Sequence, residues 1–72
     1  MNKMQVVGYD ETFDLTVEWN GSATFNVYNE RGQNTDCMTN YSVYTLQDAK
    51  DFALSYFEQI REEMYEFSRR VA

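Results

Sequence analysis

The apolar residues of this chain change their spacing once, near residue 45, and that switch limits the folds open to it. From Thr12 to Trp19, Phe13, Leu15, Val17 and Trp19 alternate with Thr12, Asp14, Thr16 and Glu18. A period of two sends alternate side chains to opposite faces of a strand. From Leu46 onward Ala49, Ala53, Phe57, Ile60, Met64, Phe67 and Val71 recur every three or four residues, which keeps one face of a helix apolar. Strands followed by one helix, within 72 residues, predict a single α+β domain over residues 1–72. Its expected architecture is a three- or four-stranded antiparallel β-meander packed against one long C-terminal α-helix.

Local signals place the elements. Strands are expected at about 4–9, 12–19, 23–30 and 37–44, and the helix at about 46–70. Asn20-Gly21 supplies the positive φ angles of a tight hairpin. Ala23, Phe25 and Val27 are expected to point inward, with Thr24, Asn26, Tyr28 and Glu30 outward. Residues 31–36 read as a turn. In the last strand Cys37, Tyr41 and Val43 are assigned to the core, leaving Met38, Asn40, Ser42 and Tyr44 outside. Thr45 suits the helix N-cap, with Asp48 three residues on in a capping-box position. About 25 helical residues span roughly 37 Å, whereas an eight-residue strand spans about 26 Å. The turns carrying Met64, Phe67 and Val71 are therefore expected to overhang the sheet, where an apolar seam suits a dimer contact.

The chemistry that the chain lacks narrows its function. It has no histidine and one cysteine, Cys37, so an internal disulfide, a zinc site and a histidine-activated nucleophile are all excluded. Cys37 reads as a small buried hydrophobe. Gly8, Gly21 and Gly32 stand apart and form no phosphate-binding loop. Asp10, Glu11 and Asp14 match no calcium-loop spacing. No catalytic residue, cofactor or metal ligand is expected. Met1 to Val7 lack the apolar run of a signal peptide, and no stretch reaches the roughly 20 apolar residues of a membrane span. A cytoplasmic protein is the expectation.

The acidic residues carry more information. Twelve carboxylates against six Lys and Arg give a net charge of −6, which disfavours direct contact with nucleic acid or an anionic membrane and suits a basic partner. Residues 4–30 contain Asp10, Glu11, Asp14, Glu18 and Glu30 but no Lys or Arg. On the helix Asp51, Glu58, Glu62 and Glu66 follow at intervals of seven, four and four and so line one face. Four helical residues advance about 6 Å, the same order as successive phosphates on one nucleic-acid strand. Tyr28 and Tyr44, among small polar residues, have the composition of binding anchors.

In size, acidity, sheet-plus-helix plan and Asp/Asn/Tyr-rich texture, the chain resembles small phage-encoded inhibitors of bacterial defence, including anti-CRISPR proteins and DNA mimics. The resemblance rests on no motif and transfers no functional residue. It implies binding to a nuclease or another nucleic-acid-binding complex at the site nucleic acid would use. The expected function is thus that of a non-enzymatic, protein-binding inhibitor. Asp14, Glu18, Glu30, Asp51, Glu58, Glu62 and Glu66 would supply the charge, and Tyr28 and Tyr44 the anchors. The alternative is a structural or regulatory homodimer joined through Met64, Phe67 and Val71.

Overall fold

The computed structural model describes the backbone of residues 4–71 and the side chains of residues 4–67. Four strands, β1 (Gln5–Asp10), β2 (Leu15–Trp19), β3 (Thr24–Tyr28) and β4 (Asn34–Thr39), are followed by α1 (Leu46–Val71). The strands form one antiparallel sheet in the order β1-β2-β3-β4, the expected meander with the fourth strand present. One face is covered by α1. Val7, Val17, Trp19, Phe25 and Val27 from the sheet meet Ala49, Ala53 and Phe57 from the helix, and Val43 joins them from the β4–α1 connection. The ring of Phe25 packs against that of Phe52, centroids 4.7 Å apart.

The turns decide where the strands begin. Asp10 lies 2% exposed at the end of β1, and its Oδ1 accepts the backbone N–H groups of Thr12 (2.8 Å) and Phe13 (3.3 Å). Residues 11–14 are thereby held as a turn, and β2 starts at Leu15 rather than at Thr12. Asn20 closes the next hairpin in the expected place, its Oδ1 accepting from Ser22 N at 2.8 Å.

The last strand departs most from expectation. Oδ1 of Asn29 accepts the N–H groups of both Arg31 and Gln33, so the turn is tighter and earlier than residues 31–36. β4 consequently occupies 34–39 instead of 37–44, and its inward positions change parity. Met38, opposite Phe25, packs against the core, while Cys37 is exposed. Tyr41 is exposed as well, and Tyr44 lies beyond the sheet, 83% exposed. Of the residues expected inside this segment only Val43 is buried.

The helix begins as expected. Thr45 Oγ1 accepts Asp48 N–H at 3.1 Å, and Asp48 Oδ2 accepts the N–H groups of Tyr44 and Thr45, each at 3.1 Å. These bonds to amides stabilise the carboxylate and hold the Asp48 pKa below its ordinary range.

The helix backbone approaches β1 more closely than any other strand. The cause is local. A bulge between Val6 and Gly8 turns both Val7 and Gly8 toward the helix. At Gly8 a Cβ atom would stand 2.7 Å from Ala53 Cβ and 3.1 Å from the Phe57 ring. Gly8→Ala therefore forces the helix off the sheet, and a loss of about 1–3 kcal/mol is expected in urea unfolding. Ala53→Gly alone costs about 1 kcal/mol of helix propensity. The double variant should nevertheless be less unstable than the sum of the two, and strict additivity would show that this contact does not set the spacing.

Candidate protein-docking surface

The meander sets the direction of the helix. The turns at 11–14 and 29–33 lie at one end of the sheet, and α1 starts from the other end and runs toward them. Its 26 residues span about 39 Å, whereas strands of five or six residues span about 17–20 Å. The overhang is thus longer than the sequence suggests, because the strands are shorter. Met64 is 53% and Phe67 65% exposed along the same stripe that buries Ala53 and Phe57. The side chain of Val71 lies outside the described residues.

Two ties hold the middle of α1 on opposite flanks. Toward β1, Arg61 Nη2 donates to Asp10 Oδ2 at 2.6 Å; the Asp10 side chain is fully buried and that of Arg61 is half exposed. Toward β4, Tyr56 donates its hydroxyl to Asp36 Oδ2 at 3.1 Å, and Asp36 Oδ1 accepts the Cys37 N–H at 2.8 Å. Burial first, then the Asp36 carboxylate, and to a smaller degree Glu63, push the Tyr56 pKa to about 12. Between this flank and β4 a cleft of about 320 Å³ opens, lined by Met38 and Ile60 with Asp36, Tyr56, Gln59 and Glu63 around them.

The carboxylates expected to bind fall into two groups. At 3.6 residues per turn, Asp51, Glu58, Glu62 and Glu66 lie about 140–180° round the helix from Ala53, and all four are exposed. Gln47 donates to Asp51 at 3.0 Å. Among the described residues the one ion pair is Arg61–Asp10, so Arg61, three residues after Glu58, is turned toward the 11–14 turn. Asp14 and Glu30 sit in the two turns beside the overhang, both exposed. Asp14 has a φ of 53° and accepts the Tyr9 hydroxyl at 2.9 Å, a bond that raises the Tyr9 pKa.

Glu18 stands apart from these. It lies half-buried on the uncovered sheet face, in a cross-strand row with Val6 and Asn26. Tyr28 shares that face through its pairing with Thr16, which is also opposite Tyr9. Tyr44 does not. Tyr9 is 57% exposed and is the second aromatic on that face; the bulge between Val6 and Gly8 breaks the alternation that would have pointed to it. The surface therefore has two sides that cannot meet one flat partner together, the helix rail and the open sheet face.

Replacing Asp10 by Ala removes the ion pair and the acceptor of two turn amides, and should cost about 3 kcal/mol in urea unfolding. Arg61→Ala leaves those amides satisfied but strands a buried carboxylate, and should cost about 3 kcal/mol as well. The double variant Asp10→Ala/Arg61→Ala should cost little more than Asp10→Ala alone, and full additivity would mean that the two side chains do not act through each other. Tyr56 gives a separate test. Its pKa rises from an ordinary 10.0 to about 12, so the neutral hydroxyl is favoured by folding. The associated stability is fully present below pH 10 and disappears as pH climbs through 12. Absorbance titration of Asp36→Ala should move this midpoint only part of the way back, since burial is the larger cause.

Comparison with family models, with curated proteins and with solved structures returns no match to this chain. Among the described residues no group of three or more carboxylates or thiols is placed to hold a metal ion, and no helix is long and apolar enough to cross a membrane.

Proposed function

We propose that the chain is a non-enzymatic, protein-binding inhibitor that docks its acidic helix face onto the basic nucleic-acid-binding site of a nuclease or defence complex, in the manner of a DNA mimic or anti-CRISPR protein. The observation that carries this reading is the pairing of Arg61 with Asp10. An ordinary solvated helix face mixes cations and anions at i, i+3 and i, i+4. Here Arg61, three residues after Glu58, is spent on a buried carboxylate in another element, and Glu58, Glu62 and Glu66 remain exposed without an ion pair among the described residues.

Successive carboxylates about 6 Å apart along a rigid helix present a line of charge that needs no ordering on binding. Asp14 and Glu30, in the turns beside the overhang, extend the negative field past the helix. Such a field steers a basic groove toward the rail and repels nucleic acid. Tyr28 and Glu18 lie on the other face and would join only a partner that wraps the molecule. Tyr44, exposed ahead of the helix N-terminus, lies at the Asp51 end of the rail.

The triple variant Glu58→Lys, Glu62→Lys, Glu66→Lys should retain its circular dichroism spectrum, because all three positions are exposed. In a tagged pull-down from bacterial lysate, wild type should hold a nucleic-acid-binding protein that salt and duplex DNA both displace. The variant should lose that protein. Retention of the same protein by a folded variant would remove the rail from the interface.

A further inference from the structure

The apolar overhang and the acidic rail occupy the same three turns of α1. Ile60, Met64 and Phe67 continue the core stripe toward the end of the helix, and Ile60 lines the cleft beside β4 with Met38. Glu63 stands at the rim of that cleft, and Glu66 follows one turn later toward the rail. The result is an apolar strip: a cleft with Met38 and Ile60 among its lining, continued along the same helix stripe by the exposed side chains of Met64 and Phe67, with carboxylates beside both.

We infer that this strip receives a partner segment carrying large apolar side chains flanked by lysine or arginine, one apolar side chain entering the Met38–Ile60 cleft while its basic neighbours meet Glu63 and Glu66. The inference rests on the docking reading above and names the partner chemistry that the reading leaves open. Two physical arguments select this occupant over a second copy of the chain. Met64 and Phe67 at 53% and 65% exposure offer together about 250 Å², well short of the roughly 800 Å² per partner that a stable dimer buries. A second copy would also carry the same net charge of −6, and like charges oppose association. A basic partner is free of that repulsion, and besides the strip it can cover the acidic rail that would repel a second copy.

The test uses two fluorescein-labelled peptides of equal positive charge, an amphipathic leucine/lysine helix and its serine/lysine counterpart, with binding read by anisotropy. The full chain should bind the leucine peptide at least about tenfold more tightly, a difference of about 1.4 kcal/mol. Phe67→Ser and Met64→Ser should each erase most of that preference and leave the serine peptide unaffected. Both positions are exposed, so circular dichroism should confirm folded variants.

Equal affinity for the two peptides, or no binding of either at low salt, overturns the inference, as does a preference that survives Phe67→Ser. If the Lys triple variant loses both peptides while Phe67→Ser loses neither, the acidic docking stands and the apolar strip falls. Sedimentation supplies the remaining outcome. A dimer of the chain alone that Phe67→Ser dissociates would assign the strip to a second copy and overturn the inference.

Discussion

The position of the helix depends on the absence of a side chain at Gly8. With Ala53 opposite, the two backbones come close enough that a single added methyl group would collide. Packed cores do not absorb such an intrusion by small adjustments, so this contact fixes both the depth and the lateral position of α1. Because the approach occurs on β1, an edge strand, the helix lies toward one side of the sheet. On that side Arg61 comes within reach of Asp10. On the other side the larger side chains of Phe25, Met38, Phe52 and Tyr56 fill the wider gap, and a cleft is left at its margin.

The charge distribution follows from the same placement. A buried aspartate without a cation would be costly, and Arg61 is the residue that the helix offers at that height. Satisfying Asp10 withdraws positive charge from the surface. The acidic character of the exposed helix face is thus partly a by-product of how the interior turn is stabilised. Core electrostatics and surface electrostatics are coupled here through one guanidinium group.

Much of this was legible in the residues. The change of period near residue 45, the Asn20-Gly21 turn and the Thr45/Asp48 capping box all act locally, and each appears where the sequence places it. The errors come from side chains that act on neighbouring backbone. Asp10 and Asn29 close their turns by accepting amide protons, and nothing in hydropathy distinguishes them from solvent-facing polar residues. Asn29 brings Asn34 opposite Tyr28, and the bulge beside that pair adds one residue to β4, so that Met38 rather than Cys37 stands opposite Phe25. The Asp10–Arg61 pair spans 51 positions and has no local signature at all. Of the expected binding residues, the rail was readable because helical spacing alone determines which residues share a face. Tyr44 was misplaced because its assignment depended on the register of β4.

The length mismatch between helix and sheet divides α1 into parts under unequal constraint. Residues up to about Arg61 are tied to the sheet by packing, an ion pair and a tyrosine hydroxyl, and a substitution there disturbs the fold. Past that point Met64 and Phe67 are largely exposed. A mutational drift confined to these two positions would change the surface and leave folding nearly untouched. A binding role placed there, as proposed above, could evolve independently of stability, within one uninterrupted helix.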